Sequence, residues 1–338
     1  MPFEPDPSFR PPRWLSNRHV QSILPSTSLR AGRLARRLKP VLGASRPLLL
    51  DCGEGVRLQA HHASHAWSGG GAGSRVAVLL HGWEGSADSL YVLSLAQQLY
   101  ERGFEVLRLN LRDHGGTQHL NRELFHSCRL PEVVGAVRRV QSQFPGKPLH
   151  LAGFSLGGNF MLRVAAQAGE AGLDIAKVVA ISPVLDPEAT LDALESGFAA
   201  YHRYFIRKWT RSLRLKQAAW PDDYDFSELL RIASLRRMTA ELVRRFTEFA
   251  SLGEYLRGYA IVGPQLAHLT VPATLITALD DPIIPARDLE RLAPAGALRV
   301  IVTRRGGHCG FLERLSSWTW AERKAAAELD AATGTVSG

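Results

Sequence analysis

Pro148-Leu149-His150-Leu151-Ala152-Gly153-Phe154-Ser155-Leu156-Gly157-Gly158-Asn159 runs from an apolar stretch, through a serine flanked by glycines, into a helix-forming stretch that continues to Ala168. Gly153-x-Ser155-x-Gly157 is a weak pattern alone, but a strand before it and a helix after it make it specific. A serine at so tight a strand-to-helix turn occupies a strained backbone position, and small residues at 153 and 157 let the turn approach neighbouring strands without a side-chain clash. The hydroxyl is then presented above the edge of a sheet, at a helix amino terminus whose partial positive charge favours a developing anion. Ser155 is expected to be a nucleophile.

Outward from this turn the chain is rhythmic. Short apolar runs at Val76 to Leu80, Phe104 to Leu109, Pro148 to Gly153, Val178 to Ile181, Ala273 to Ala278 and Leu298 to Thr303 read as strands. Leu90 to Arg102, Glu132 to Phe144, Gly157 to Ala168 and Ser317 to Ala331 read as helices between and after them. Alternation of this kind predicts an α/β fold with a mostly parallel, doubly wound sheet, and runs that are apolar on both faces fit a sheet covered on both sides. Arg46 to Leu50 and Val56 to His61 flank Cys52-Gly53-Glu54-Gly55 and predict a β-hairpin. Between 185 and 270 the strand rhythm stops in favour of an aromatic, arginine-rich helical stretch, read as an inserted helical cap. The expected organisation is an extended arm over 1–45, a core in two parts over 46–184 and 271–338, and the cap between those parts.

A serine hydroxyl needs a base to remove its proton during attack, and a histidine oriented by a carboxylate supplies it. In this fold the order along the chain is serine, acid, histidine, so the partners lie downstream. Gly306-Gly307-His308 follows the last strand and Asp280-Asp281 follows the one before, both at strand ends where a shared site can form. His308 is the expected base. Either Asp280 or Asp281 can be the acid; Asp281 is preferred because it directly precedes the turn Pro282-Ile283-Ile284-Pro285. Acyl transfer also needs donors for the oxygen that becomes negative. The backbone N–H groups of Leu156 and of Trp83, in His81-Gly82-Trp83-Glu84-Gly85, are the expected pair, with His81 holding that loop by hydrogen bonding.

Composition limits the other classes. With 338 residues, 45% hydrophobic and 22% charged, the chain can bury a sizeable core. No apolar run approaches the roughly 20 residues that span a bilayer, and the acidic, proline-rich start does not resemble a signal peptide, so the expected location is cytoplasmic. Cys52, Cys128 and Cys309 are unpaired in spacing and encode neither a disulfide framework nor a metal site, and the chemistry calls for no cofactor. The formal charge of +9 is concentrated at Arg30, Arg33, Arg36, Arg37 and Lys39 and at Arg203, Arg207, Lys208, Arg211, Arg214 and Lys216. A solvated helix face and a surface for anionic membrane both fit such clusters, and no nucleic-acid module accompanies them.

His81-Gly82-Trp83-Glu84-Gly85-Ser86, Asn110-Leu111-Arg112-Asp113-His114-Gly115, Gly153-Phe154-Ser155-Leu156-Gly157-Gly158-Asn159 and Gly306-Gly307-His308-Cys309-Gly310-Phe311 together resemble the AB hydrolase-4 family, the YheT-like hydrolases. Trp14-Leu15-Ser16-Asn17-Arg18-His19-Val20-Gln21-Ser22 resembles that family's opening segment, so the likeness covers nearly the whole chain. The resemblance implies an α/β-hydrolase fold, a triad of Ser155, Asp281 and His308, and esterase or lipase-like activity. Two departures, Cys128 where a glycine is expected and Asp113 where one is common, bear on loop shape and substrate fit rather than on mechanism. The expected function is hydrolysis of a small-molecule or lipid carboxylic ester. Acyl transfer through the same acyl-enzyme and a non-catalytic lipid-binding role are the alternatives.

Overall fold

The computed structural model describes residues 4–331. Residues 1–3 and 332–338, the outer ends of the expected arm and of the second core part, lie outside the described residues.

Alternation within the apolar runs divides the core in two. In β3, Val76, Val78 and Leu80 belong to one buried cluster while Ala77 and Leu79 belong to the other, because successive side chains of a strand leave on opposite faces. The chain runs α1 (Arg18–Ile23), α2 (Ser28–Gly43), β1 (Ser45–Asp51), β2 (Arg57–Ala63), β3 (Arg75–Leu80), α3 (Leu90–Glu101), β4 (Phe104–Leu109), α4 (Leu130–Gln143), β5 (Leu149–Phe154), α5 (Leu156–Ala166) and β6 (Ile175–Ile181). Four helices follow, α6 (Pro187–Ser196), α7 (Ala199–Ala219), α8 (Leu235–Phe246) and α9 (Leu252–Arg257), before β7 (Ala273–Ala278), β8 (Leu298–Thr303) and α10 (Trp320–Asp330).

The strands form one eight-stranded sheet in the order β1-β2-β4-β3-β5-β6-β7-β8. β1 pairs antiparallel with β2 and β2 with β4, and every other neighbour is parallel, so the expected hairpin sits at one edge of a parallel sheet. Helices α4 and α5 pack on one face, α3 and α10 on the other. Helices α6 to α9 fill the interval 185–270, and their buried residues, among them Leu191, Trp209, Leu213 and Leu242, join the same cluster as α4 and α5.

The arm is not extended. Residues 13–43 are largely helical, and Leu34, Leu38 and Val41 are buried along one side of α2. Its basic cluster is also not uniformly on the surface. The Arg30 guanidinium is fully buried, donates to both carboxylate oxygens of Glu322 on α10 at 2.9 and 3.2 Å, and reaches the Pro25 carbonyl. Lys216 in the second cluster is buried too: its Nζ donates to Asp113 Oδ1 at 2.9 Å and to the carbonyls of Asn121 and Glu123 at 2.6 and 3.0 Å. The ammonium thereby pins α7 to the 113–123 loop.

Removing one member of a buried ion pair leaves the other charge uncompensated, at about 3–5 kcal/mol. Arg30→Met is therefore expected to lower the unfolding free energy by that amount in urea titrations. Adding Glu322→Gln, which keeps the hydrogen bond to the start of α10 while removing the stranded charge, is expected to recover part of the loss.

Candidate active site

The carboxyl ends of parallel strands β3, β5, β7 and β8 converge on one place. Ser155 follows β5 with φ 51° and ψ −120°, a left-handed conformation for a non-glycine residue. The flanking glycines make this possible. A Cβ at Gly153 would fall 2.2 Å from the Gly157 carbonyl oxygen, and one at Gly157 would fall 2.4 and 2.5 Å from the carbonyl oxygens of His81 and Leu80.

His308, after β8, puts Nε2 3.0 Å from the Ser155 hydroxyl oxygen and Nδ1 2.9 Å from Asp281 Oδ2. Asp281 follows β7; its other oxygen accepts the N–H groups of Ile283 and Ile284 at 2.8 and 2.9 Å, which fixes the carboxylate. Asp280 points elsewhere and accepts the Gly307 N–H at 2.9 Å. Burial pushes its carboxyl upward, with the Gly307 bond opposing. Burial of the His308 ring works against its cation, but the Asp281 carboxylate and the neighbouring Cys309 together outweigh burial and hold the ring well above the ordinary histidine value. Cys309, next in the chain, turns its sulfur towards the Ile181 carbonyl at 3.7 Å.

The loop after β3 lies against the serine, since a Cβ at Gly82 would come within 3.1 Å of Ser155 Cβ. Among the described residues, no acceptor takes the N–H of Trp83 or of Leu156. Two buried histidines brace this loop. His81 Nδ1 bonds the Gly82 carbonyl at 2.7 Å and Nε2 accepts the Leu111 N–H at 3.2 Å. His114 Nδ1 bonds the Arg112 carbonyl at 2.7 Å and Nε2 accepts the Glu84 N–H at 3.2 Å. Asp113, which departs from the family pattern, has φ 60°, the conformation a glycine would supply freely, and is held there by Lys216 and the Phe125 N–H. Cys128 is accommodated opposite Gly258, where a Cβ would fall 2.8 Å from its sulfur.

Several supporting residues went unassigned in the sequence. Ser22 Oγ accepts the His308 N–H at 2.8 Å, Gln21 Oε1 accepts the Leu312 N–H at 2.6 Å, and Gln21 Nε2 donates to Leu312 and Leu15 carbonyls. The opening segment thus grips the histidine loop, and its recurrence as a family motif was the available signal. Tyr91 accepts the Gly82 N–H at 3.2 Å, and Asn159 donates to the carbonyls of Val184 and Tyr259, joining the serine helix to the segments around α6 and α9.

A cavity of about 850 Å³ opens over Ser155 and His308, lined by Trp83, Phe205, Trp209, Leu191, Leu242 and Leu256 among others. The Trp83 ring stacks on Phe205 at 5.0 Å and meets Trp209 edge-on at 5.3 Å, so α7 covers the loop that bears the Trp83 amide. Glu84 also lines the cavity; burial pushes its carboxyl up to about 7 while Lys208 pulls it down.

Burial lowers His81 to about 3 and His114 to about 4, so both rings are neutral at pH 7. The unfolded chain takes up these protons near 6.5, well before the folded one does. Their contribution to stability is therefore complete above that value and is lost as pH falls towards 4. Urea midpoints measured between about pH 8 and about pH 4 are expected to decline, and His114→Gln is expected to make the decline shallower.

Comparison with known proteins agrees with this architecture. Residues 76–315 match the family model described as alpha/beta hydrolase fold. The chain is 28% identical over 319 residues to "Putative esterase YheT" of Escherichia coli (strain K12), covering 92% of this chain and 88% of that one. It is 22% identical over 242 residues to "Phospholipase ABHD3" of Mus musculus, covering 70% of this chain but only 58% of the relative. Among solved structures, the Pyrococcus furiosus esterase Pf2001 is alike in fold, with a TM-score of 0.56 at 14% identity over 86% of this chain and 93% of that one. With its mostly parallel sheet and its serine turn, the chain belongs to the α/β-hydrolase fold family, in the AB hydrolase-4, YheT-like group, and is a hydrolase with esterase relatives.

Proposed function

We propose that the protein hydrolyses carboxylic esters with an apolar acyl or alcohol part, using Ser155 as nucleophile, His308 as base and Asp281 as the acid that orients it. The observation that carries this reading is the continuous contact from Ser155 Oγ to His308 Nε2, at 3.0 Å, and from His308 Nδ1 to Asp281 Oδ2, at 2.9 Å. Asp281, not Asp280, makes the carboxylate contact. Support for an apolar substrate comes from the cavity, whose walls are largely aromatic and aliphatic.

The steps follow from the contacts. As Ser155 Oγ bonds to the ester carbonyl carbon, its proton passes to His308 Nε2, while Asp281 holds the Nδ1–H and stabilises the imidazolium. The carbonyl oxygen, now negative, takes the N–H groups of Leu156 and Trp83, each donor contributing about 3–4 kcal/mol to barrier reduction. Collapse breaks the bond to the alcohol, which leaves with the proton from His308. A water then gives its proton to the same nitrogen as its oxygen bonds to the acyl carbon, and His308 returns that proton to Ser155 Oγ as the acyl–Oγ bond breaks, releasing the carboxylic acid and the free serine. A cytoplasmic site of action is part of the same proposal and fits the three free thiols, Cys52, Cys128 and Cys309.

Ser155→Ala is expected to abolish both ester turnover and labelling by a fluorophosphonate; retention of either removes Ser155 from the role. Asp281→Asn is expected to lower kcat/KM on the order of 10³ to 10⁴-fold, since the histidine loses its orienting charge, whereas Asp280→Asn costs far less. Larger loss in Asp280→Asn would reverse the choice. Because only neutral His308 accepts the serine proton, the acidic limb of the kcat/KM profile is expected above the ordinary value of 6.5 and is expected to move down in Asp281→Asn. Product analysis with added alcohol or amine acceptors separates hydrolysis from acyl transfer.

A further inference from the structure

We propose that the rim of the cavity is a docking face for an anionic lipid bilayer, formed jointly by the α1–α2 turn and the exposed side of α7. Ile23, Ser26, Ser28, Asp88 and Tyr204 line the cavity and are exposed, which marks where it meets solvent. Large apolar side chains stand in water on or next to this rim: Ile23, 44% exposed, and Tyr204, 45%, line it, Leu29, 51%, follows the lining residue Ser28, and Phe198, 49%, lies three residues before the lining residue Tyr201. The two sides of the rim are joined by His19, whose ring lies 4.6 Å from that of Phe198 and whose Nδ1 lies 3.0 Å from the Tyr201 hydroxyl.

Beside this apolar rim the charge is cationic. Arg203, Arg207, Arg211 and Arg214 are exposed on α7 at spacings of four, four and three residues, which keeps them on one stripe that also contains Tyr204. Arg33 and Arg36 are exposed on α2. Among the described residues none of these six arginines joins an ion pair, in contrast to α8, where three of the four arginines, Arg236, Arg244 and Arg245, have carboxylate partners and Arg237 alone has none. Of the acids on the cavity lining, Asp88 is bound by Arg108 at 2.8 Å and Glu84 lies by Lys208. The face therefore offers unpaired cations around exposed hydrocarbon, a combination that matches lipid phosphates above acyl chains. Nucleic acid would use the cations but leave Ile23, Leu29 and Phe198 without a partner. A bilayer uses both, and an ester held in it could enter the cavity without crossing water. The surface differs from a basic arm, since Arg30 is buried against Glu322 and α7 supplies the longer row.

The proposal gives a purpose to the ester reading but is measured apart from it. The full chain is expected to sediment with vesicles of mixed phosphatidylglycerol and phosphatidylcholine at low salt, not with pure phosphatidylcholine, and to be released at high salt as screening shortens. Arg203→Gln/Arg207→Gln/Arg211→Gln is expected to weaken this partitioning by about a hundred-fold, and Arg207→Gln alone by about five-fold. Leu29→Ser/Phe198→Ser is expected to weaken it as well. All three variants are expected to keep wild-type circular dichroism and wild-type turnover of a short, water-soluble ester. Failure of the wild type to bind the anionic vesicles, or undiminished binding by folded triple and single arginine variants, overturns the proposal. So does equal capture by duplex DNA with no effect of Leu29→Ser/Phe198→Ser, which would mark a general polyanion surface. Vesicle binding without turnover of any ester, by contrast, removes the ester reading and leaves the docking face standing.

Discussion

A left-handed backbone at Ser155 is the constraint on which the rest of the site depends. Held at φ 51°, the serine cannot relax into either the strand behind it or the helix ahead, and its hydroxyl stands clear of both. The strain persists because the turn is clamped from two sides. Gly157 lets α5 close to the carbonyls at the end of β3, and Gly153 lets it close onto β5. The Ser155 N–H donates to the Ile181 carbonyl at 2.9 Å, so β6 fixes the turn as well. The same contact with β3 brings Gly82 against Ser155, so presentation of the nucleophile and placement of the Trp83 amide are one packing event rather than two.

The histidine is held by a different device. His308 lies in a loop in which Gly306, Gly307, Cys309 and Phe311 all have positive φ, a conformation that costs free energy at the non-glycine positions. Helix α1 stabilises it from outside. A Cβ at Gly307 would fall 2.5 Å from the Arg18 carbonyl oxygen, and one at Gly310 would fall 2.1 Å from that of Gln21. Backbone meets backbone there, with Ser22 and Gln21 supplying hydrogen bonds to the loop amides. Residues almost three hundred positions upstream thus set the position of the imidazole, and a chain lacking them would leave the loop to fluctuate in water.

Much of this was legible in the sequence, for physical reasons that can be stated. β4, β7 and β8 begin and end at the residues predicted from the sequence, although β4 carries the buried Glu105 and Arg108 and β8 the exposed Arg299, so that turn residues such as Gly103 and Pro272 mark the limits rather than unbroken apolarity. The hairpin was readable from Gly53 and Gly55, both at positive φ. The helical character of residues 13–43 was not, since Pro25 and Pro40 interrupt it, arginines are as frequent as leucines, and the buried apolar side of α2 is as narrow as Leu34, Leu38 and Val41. Counting charges also misled at Arg30 and Lys216. A cation in a helix reads as surface, and only the tertiary position of Glu322 and Asp113 turns these two into internal ties. The choice between Asp280 and Asp281 likewise depends on which carboxylate faces the ring, a matter of loop direction that neighbouring identical residues do not encode.

The buried ties have a consequence for how substrate reaches the serine. Lys216 fastens α7 to the loop that begins at Asp113, and the adjacent His114 accepts the N–H of Glu84, one residue beyond Trp83. α7 also covers Trp83 directly through Phe205 and Trp209. The helix that roofs the cavity is therefore connected to the oxyanion loop through an ion pair and through stacked rings, with little freedom between them. Large rotation of α7 would have to break a buried charge pair, which is costly. Its amino-terminal part is held as well, since Phe205 stacks on Trp83 and Tyr201 meets His19, so the cavity roof and the Trp83 amide are positioned together. One helix thus carries both roles, with exposed apolar side chains at the cavity rim near its start and the electrostatic anchor near its end.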